Sequence, residues 1–375
     1  MILLSVAVLS VLLLSYVYIF TDNLSLGARC ITYDIYAKII TVTCSTNLTS
    51  IYHAVNDNNV LEKDPHGIWI LKAIIKVSPL ANLTINRTDT SWLKITNKNG
   101  TQPNFISISG NARIDGVKIT SWDSSHNNII RQHTNASIPR PYILIDEGAG
   151  TVDVSNSEIA FLGYRSAPSN GFLYHHGGNG SSITNSSFHD MFDGFYSDYV
   201  GSITIKNNRY YDNLRYWIDP HTWSHDLSII GNTAYNNTNI GIICSENCYN
   251  ILFDNNTVHD NGHAGLMFSL DTNNSTAKKN YAYNEKVAIS VFSSSNNRVY
   301  DNLMRSTHTG IQVTGSSLGN RIYNNTILNG TLGLVFGDNY PKNNLLENNN
   351  VNNTSDAIEL KGIDNIGTNN SIYNK

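Results

Sequence analysis

An asparagine that recurs at an almost constant interval is the feature that most constrains this chain. The intervals between successive members are 23, 24, 24, 24, 22, 23 and 24 residues. The recurring residues are Asn185, Asn208, Asn232, Asn256, Asn280, Asn302, Asn325 and Asn349. A self-similar period in the twenties is typical of a solenoid, in which each repeat is one coil stacked on its neighbours. The sequence therefore predicts stacked coils and excludes a compact α/β domain.

The content of one repeat indicates which kind of solenoid. Each repeat holds two short strand-like runs and two polar turns, β-branched and aromatic residues dominate the apolar positions, and no long helical period appears. A leucine-rich repeat would be richer in leucine, and an ankyrin repeat is longer and helical. Asparagine accepts the left-handed conformation in turns and can bond to its own kind along a stack. We predict an all-β fold, a single-stranded right-handed parallel β-helix.

Alignment of the repeats predicts which side chains face outward. One inward column reads Phe195, Ile218, Ile242, Leu266, Ile289, Ile311, Leu334 and Ile358, and a second reads Ser197, Pro220, Cys244, Phe268, Val291, Val313, Phe336 and Leu360. Because strand side chains alternate between faces, the columns between these two should face solvent. Tyr196 should then lie beside Asp219, and Asp198 beside His221, about 4.8 Å apart along the axis.

Length and charge set the domain organisation and exclude one class of partner. The 375 residues divide into an apolar segment at 1–20, a capping region at 21–100 and a β-helix at 101–375. A cap is expected because an open coil end exposes a strand edge. The net charge is −4 and only 14% of residues are charged, so the chain lacks the basic footprint of a nucleic-acid-binding protein. We expect a monomer.

The uncharged run Met1–Phe20 is long enough to span a bilayer. The alternative is a cleaved signal peptide, but no small-residue cleavage site is clear and the run has no Lys or Arg. We favour an uncleaved anchor with the rest of the chain exported to the cell surface or beyond. N-x-S/T sequons such as Asn86-Arg87-Thr88 fit a glycoprotein outside the cell, although Asn-rich turns generate sequons for free.

The four cysteines, Cys30, Cys44, Cys244 and Cys248, permit disulfides in an exported chain. Cys30 and Cys44 would staple the N-terminal segment. Cys244 falls in an inward column, so a buried thiol and a bridge to Cys248 are both open. A zinc site is not expected, because no second Cys/His pair has ligand spacing.

Several motifs in order resemble the mannuronan C5-epimerases, right-handed β-helix enzymes that act on alginate. The motifs are Ile119-Thr120-Ser121-Trp122-Asp123, Arg140-Pro141-Tyr142, Ser157 to Tyr164, Gly194-Phe195-Tyr196-Ser197 and Tyr216-Trp217-Ile218-Asp219-Pro220-His221. The last is the most specific. They cover roughly residues 90–300.

The resemblance implies removal of the C5 proton from a 4-linked uronic acid, neutralisation of its carboxylate, and return of a proton from the other face. It makes His221 the base, with Asp219 flanking it and Tyr216 a candidate acid. The aromatic rings of Tyr196, Phe195 and Trp217 are candidate sugar contacts, and Asp198 is expected next to the base. A histidine suits the task because its pKa lies near neutrality, and we expect the nearby carboxylates of Asp198 and Asp219 to raise that pKa.

Two departures from the family pattern affect the substrate site. Trp217 and Thr222 stand where the family has Gly and Asp. Glu246 occupies or adjoins the place of the family's carboxylate-neutralising arginine, and a carboxylate there would repel a uronate. Arg215 or Arg165 are the candidate replacements, and a bound Ca²⁺ is another. Otherwise no cofactor or metal ligand is expected, and no Gly/Asp-rich calcium repeats follow.

The sequence leaves three functions. The first is an exported polyuronate C5-epimerase, an isomerase acting on a polysaccharide. The second is a polysaccharide lyase that uses the same site for β-elimination. The third is a β-helix that binds carbohydrate without catalysis.

Overall fold

The computed structural model describes residues 30–98, 102–131, 137–337 and 340–373. The expected anchor, Met1–Phe20, lies outside these ranges. Among the described residues, no helix has both the length and the apolar character needed to cross a bilayer. The fold is a parallel β-solenoid of three long sheets, and the chain visits sheet 1, sheet 2 and sheet 3 in turn in each coil.

From β19 onward, sheet 1 contains the longest strands, and it will carry the functional site. Its strands are β1 (Ile31–Asp34), β2 (Ile39–Val42), β6 (Ile74–Val77), β10 (Phe105–Ile108), β13 (Tyr142–Ile145), β16 (Gly171–His175), β19 (Asp193–Asp198), β22 (Tyr216–His221), β25 (Ile240–Ser245), β28 (Ala264–Ser269), β31 (Val287–Phe292), β34 (Thr309–Thr314), β37 (Leu332–Phe336) and β40 (Asp356–Leu360). All pairings after β1–β2 are parallel, which fixes an axial stack of equivalent positions.

Sheets 2 and 3 are built mostly from three-residue strands. Sheet 2 contains β3 (Ser45–Asn47), β7 (Asn82–Asn86), β11 (Asn111–Asp115), β14 (Val152–Ser155), β17 (Ser182–Thr184), β20 (Thr204–Lys206), β23 (Ser228–Ile230), β26 (Leu252–Asp254), β29 (Thr276–Lys278), β32 (Arg298–Tyr300), β35 (Arg321–Tyr323), β38 (Leu345–Glu347) and β41 (Ile366–Thr368). Sheet 3 contains β4 (Leu61–Lys63), β5 (Ile68–Leu71), β8 (Trp92–Lys98), β12 (Lys118–Trp122), β15 (Glu158–Ala160), β18 (Ser187–His189), β21 (Arg209–Tyr211), β24 (Thr233–Tyr235), β27 (Thr257–His259), β30 (Tyr281–Tyr283), β33 (Leu303–Arg305), β36 (Thr326–Leu328), β39 (Asn350–Asn352) and β42 (Ser371–Tyr373), and β9 (Gln102–Pro103) pairs with β8.

The N-terminal part departs from the parallel stack at its outer end. Helix α1 (Leu48–Val55) begins at Asn47, whose side chain accepts a hydrogen bond from the N–H of Ser50. The pairs β1–β2 and β4–β5 are antiparallel. Strands β2, β3 and β5 to β8 nevertheless belong to the three sheets. The stack therefore starts before residue 101, because the shorter, less regular repeats there still present alternating apolar residues to the core.

The asparagine ladder is present and buried. In each step, the backbone N–H and the side-chain Nδ2 of one asparagine donate to Oδ1 of the next, at 2.9 and 3.1 Å from Asn208 to Asn232 and again from Asn232 to Asn256. The expected axial neighbours are thus confirmed, and the ladder runs on to Asn370. The first expected member was wrong. Ser186 holds the ladder position, and Asn185 is the left-handed residue before it.

A further ladder occupies the turn before sheet 1. It runs through Asn213, Asn237 and Asn261 and ends on the carboxylate of Glu285, which accepts from Asn261 Nδ2 at 2.6 Å. Glu285 is buried, and burial raises its pKa to about 8. The ladder thus ends on a carboxyl group that keeps its proton to unusually high pH.

Both cysteine pairs are bridged. Cys30–Cys44 joins residues whose Cα atoms are 5.6 Å apart, and Cys244–Cys248 joins residues 6.3 Å apart. Both separations fall in the ordinary range for a disulfide. Of the two alternatives for Cys244, the bridge is the one found, and it closes the turn that carries Glu246.

Candidate functional site

The candidate site lies on the outer face of sheet 1, where β19 and β22 run side by side. Tyr196 pairs with Asp219 and Asp198 with His221, as the register predicted. A cleft of about 420 Å³ opens over this face, and we call it the sheet 1 cleft. It is lined by Arg165, Ser166, Ala167, Pro168, Asn170, Leu173, His175, Phe192, Tyr196, Asp198 and Arg215.

The end of β22 is paired on one side only. Its partners on β25 are Ile240 for Tyr216 and Ile242 for Ile218, and this pairing stops before Asp219, whereas pairing with β19 continues to His221. Pro220 has no N–H to donate to a neighbouring strand. The sequence Asp-Pro-His is therefore held by β19 and leaves the ladder on the β25 side.

His221 is held by a short chain of polar contacts. Its Nδ1 lies 2.7 Å from Oγ1 of Thr222, and Thr222 donates its hydroxyl hydrogen to Oε2 of Glu246 at 3.1 Å. Because that hydroxyl hydrogen is committed to Glu246, its oxygen must accept from Nδ1–H of His221. This places the imidazole proton on Nδ1 and leaves Nε2 with a lone pair. The tautomer is the one that a base acting through Nε2 requires.

The pKa of His221 is lowered, contrary to the rise that its carboxylate neighbours led us to expect. Only 20% of the His221 side chain is exposed, and this burial, which disfavours the imidazolium, is the largest effect on the pKa. Glu246 opposes that effect, with Oε2 3.7 Å from Nδ1, and Arg215 reinforces it. Desolvation outweighs the carboxylates, so the neutral form needed by a base is favoured.

Glu246 lies behind the base. It binds Thr222 and is not among the described residues that line the sheet 1 cleft. The turn after β25 directs its side chain toward the previous coil, and its expected place at or beside that of the family's arginine stays a prediction. Its observed contact is with the base.

Arg215 is anchored in the cleft wall by a fully buried carboxylate. Its Nε and one terminal nitrogen bind the two oxygens of Asp193 at 2.9 and 2.6 Å. Asn170 and the N–H of Tyr216 also bind Asp193. The Asp193 carboxylate raises the pKa of Arg215, while burial raises the pKa of Asp193. This bidentate pair fixes the guanidinium in place.

Arg165 lies on the opposite wall, in the loop 163–170. It is exposed and lines the cleft. Within the described ranges it has no acidic group within 4.0 Å. Both expected substitutes for the family's arginine are therefore in one cleft, with Arg215 compensated by Asp193 and the charge of Arg165 uncompensated.

Asp219 is buried, so the expectation that it faces solvent beside His221 was wrong. Neither of its oxygens has a hydrogen-bond partner among the residues described. Burial, reinforced by Asp193, holds the pKa of Asp219 well above its usual range. Burial therefore favours the protonated, uncharged form of Asp219, and a buried acid without a partner is a mark of a functional site.

The tyrosines differ in their access to the cleft. The Tyr196 ring lies 5.3 Å from the His221 ring, roughly parallel to it, and lines the cleft. Tyr216 packs against the apolar cluster of Ile240 and Ile243, with its ring 4.8 Å from the guanidinium of Arg215. Burial raises the pKa of both phenols, so both keep their protons at neutral pH.

Phe195 and Trp217 are not at the surface. Both side chains are fully buried in the core, where the Phe195 ring lies 5.5 Å from that of Tyr174. Trp217 fills a column that neighbouring coils fill with glycine, and its ring lies 6.5 Å from that of Tyr235. The prediction that these rings contact sugar was therefore wrong, because neither side chain is exposed to solvent.

One group of side chains in the described ranges could hold a metal ion. Ligand atoms of His175, His176 and Asp198 lie within 4.8 Å of one another. His175 Nδ1 already bonds Asp198 at 2.8 Å. Imidazole suits zinc or copper better than Ca²⁺. The expected Ca²⁺ bridge therefore finds no support in this group.

Sequence reasoning missed Asp193 and Asn170. A signal existed for the first. Asp193 precedes Arg215 by 22 residues, which is one coil, so opposite charges at the repeat distance should meet. Asn170 lies in a loop outside the regular repeat, and no pattern in the sequence indicates its contact.

Comparison with known proteins confirms the resemblance to mannuronan C5-epimerases. The mannuronan C5-epimerase of Pseudomonas syringae pv. tomato is 26% identical over 269 residues, which are 68% of this chain and 49% of that protein. That of Pseudomonas fluorescens is 30% identical over 200 residues, 50% of this chain and 36% of that protein. The chain thus spans about half or less of these relatives' length.

Two further comparisons concern the fold. The crystal structure of the periplasmic alginate epimerase AlgG has a TM-score of 0.80 at 20% identity, and the match covers 90% of this chain and 85% of that one. The A-module of Azotobacter vinelandii mannuronan C-5 epimerase AlgE6 has a TM-score of 0.59 at 15% identity, over 88% and 96% of the two chains. A family model described as periplasmic copper-binding protein (NosD) matches residues 151–337. The parallel β-solenoid is confirmed.

Proposed function

We propose that this chain is an exported C5-epimerase of 4-linked uronic acid residues of the mannuronan type. The observation that carries the proposal is the environment of His221, a neutral histidine with its Nδ1 proton fixed by Thr222 and Glu246. It stands beside a cleft with two arginines. Proton abstraction next to a carboxylate needs a base of this kind and a positive charge of this kind.

In the proposed first step, Nε2 of His221 takes the C5 proton, and the electron pair of the C–H bond moves into the uronate carboxylate. The growing imidazolium is stabilised by Glu246 through Thr222. Arg165 supplies charge to the carboxylate, and Arg215 is a second, rigid donor. Asp219 contributes by being neutral, because an ionised carboxylate at that position would repel the substrate.

In the second step a proton returns to C5 from the opposite face. Tyr196 is the better placed phenol, since it lines the cleft while Tyr216 packs on apolar residues. Its raised pKa keeps the proton available. We propose that Tyr216, expected as the acid, instead supports the guanidinium of Arg215. Solvent then removes the abstracted proton from His221 and returns a proton to the Tyr196 phenolate. No cofactor takes part in this scheme.

The remaining parts of the proposal concern location, architecture and oligomeric state. AlgG and the NosD family are both described as periplasmic, which supports export of this chain. We propose that residues 1–20 provide the export signal and remain as an anchor, that the helix α1 and the antiparallel pairs β1–β2 and β4–β5 cap the solenoid within the expected capping region 21–100, that the coils are right-handed, and that the chain acts as a monomer on a polysaccharide.

The test is incubation with polymannuronate in deuterated water, with deuterium at C5 and the ratio of the two uronate epimers read by NMR. His221→Ala should abolish C5 exchange and keep the fold, because the ring lies on the outer face. The matched control is His259→Ala. The His259 side chain is 18% exposed, against 20% for His221, and each histidine has its Nδ1 near a carboxylate.

An unsaturated product that absorbs in the ultraviolet would show a lyase instead. Binding without exchange would show a carbohydrate-binding protein. Full exchange in the His221→Ala protein would remove His221 from the mechanism.

A further inference from the structure

The turn that follows the strands of sheet 1 has a repeated backbone conformation. Two successive residues are left-handed in three adjacent coils, and Trp223, Asn247 and Asp271 hold the second position with φ of 60°, 66° and 63°. Their backbone N–H groups make equivalent bonds to the next coil, at 2.9, 2.9 and 2.8 Å. The three residues are therefore structural equivalents.

Trp223 is the residue that does not suit this position. Asn and Asp accept the left-handed conformation because their short side chains bond locally, whereas a bulky aromatic pays about 1–2 kcal/mol for it. Burial does not offset that cost, since 48% of Trp223 remains exposed. Strain of this kind that packing does not explain is typical of functional sites.

The position of Trp223 connects it to the proposed active site. It follows His221 by two residues and lines an open groove of about 330 Å³ with Tyr199, His225 and Tyr249. Tyr199, 48% exposed, belongs to the preceding coil and donates its N–H to Thr222 at 2.8 Å. It also directly follows Asp198, which lines the sheet 1 cleft. The groove is thus lined by a residue adjacent in sequence to one that lines the cleft.

We propose that Trp223 and Tyr199 form a binding subsite for a sugar residue next to the one that reacts at His221. This inference rests on the proposed function. Exposed aromatic rings offer a flat apolar face with a polar edge, which matches the C–H face of a pyranose ring. None of the four groove residues is Lys or Arg, and His225 is paired with Asp226 at 2.7 Å. The subsite therefore recognises the sugar ring and leaves the carboxylate to the arginines of the cleft.

The experiment compares Trp223→Asn, which installs the residue found one coil later, with the unaltered protein. Binding of mannuronate oligomers of increasing length is measured by calorimetry in the His221→Ala background, so that turnover does not interfere. KM and kcat are measured with His221 intact. Tyr36→Asn is the control, because Tyr36 is 94% exposed and lies far from Trp223 in the sequence.

We expect Trp223→Asn to weaken binding of long oligomers roughly tenfold and to raise KM by a similar factor with kcat little changed. Trp223→Phe should recover much of the loss, and the Tm of Trp223→Asn should equal or exceed that of the unaltered protein because strain is relieved.

Unchanged affinity and KM in Trp223→Asn would overturn the subsite. If the unaltered protein exchanges no C5 proton, but Trp223→Asn still weakens oligomer binding, only the epimerase proposal is overturned. An unaltered protein that binds no polyuronate would overturn both.

Discussion

Replacing Glu246 by Gln tests the contact chain behind His221. Gln keeps the shape and still accepts the hydroxyl of Thr222, but it removes the charge that lies 3.7 Å from Nδ1. A pair of unit charges near that distance attracts by about 1 kcal/mol in water and about 4 kcal/mol at a protein surface. Because 47% of the Glu246 side chain is exposed, the lower part of that range applies, about 1–2 kcal/mol.

Two changes follow from the loss of this charge. The imidazolium that forms as the C5 proton is abstracted loses its stabilisation, so kcat should fall roughly 5- to 30-fold. Glu246 raises the pKa of His221, so its removal lowers that pKa. Activity that depends on neutral His221 should then appear at lower pH. The other charged groups acting on His221, namely Arg215, Asp198 and Asp193, are unchanged by the substitution.

The assay is the pH dependence of C5 exchange for Glu246→Gln, with Thr222→Ser, Thr222→Ala and the control Glu347→Gln. Thr222→Ser should behave like the unaltered protein, since it keeps the hydroxyl. Thr222→Ala should lose activity as well, because Nδ1–H loses its acceptor. An unchanged kcat together with an unmoved acid limb in Glu246→Gln would refute the reasoning, and a limb moved to higher pH would show that the sign of the Glu246 effect is wrong.

Three further predictions concern the cleft and the ladders. Asn256→Ala leaves the N–H of Asn232 and the carbonyl of Ile229 unpaired in the core, so it should lower the free energy of unfolding by about 3 kcal/mol or more in urea titrations. The control Asn255→Gly, at an exposed left-handed turn position, should change that free energy by less than about 1 kcal/mol. The folded chain keeps a proton on Glu285 up to about pH 8, whereas the unfolded chain loses it near the ordinary pKa of 4.5, so the stability that this group contributes falls as pH rises through that interval. Glu285→Gln should flatten the dependence of Tm on pH in that interval. An unchanged slope would contradict the burial argument. Arg165→Ala should raise KM for polyuronates about tenfold and make KM less dependent on salt. The control Arg113→Ala, on sheet 2, should have neither effect. An equal effect of both substitutions would show that net charge alone matters.

The sequence by itself determined the architecture and the register. A repeat of about 23 residues with alternating apolar columns can bury its core only by stacking, and the pairing of Tyr196 with Asp219 and of Asp198 with His221 followed from alternation alone. The displacement of Asn185 by one residue from the ladder shows the limit of this reasoning. Two adjacent turn positions both favour asparagine, one for its left-handed backbone and one for its buried amide, and only the structure separates them.

The tertiary structure decided the chemistry of the site. Alternation placed Asp219 outward, but its side chain is fully buried in the folded chain, which a single strand cannot reveal, and burial favours its neutral form. Burial likewise lowers the pKa of His221 where its carboxylate neighbours alone would raise it. Glu246 turns toward the base because the turn after β25 directs it to Thr222 of the previous coil. Electrostatics at this site depend on desolvation and on contacts between coils, and both arise only when the repeats are stacked.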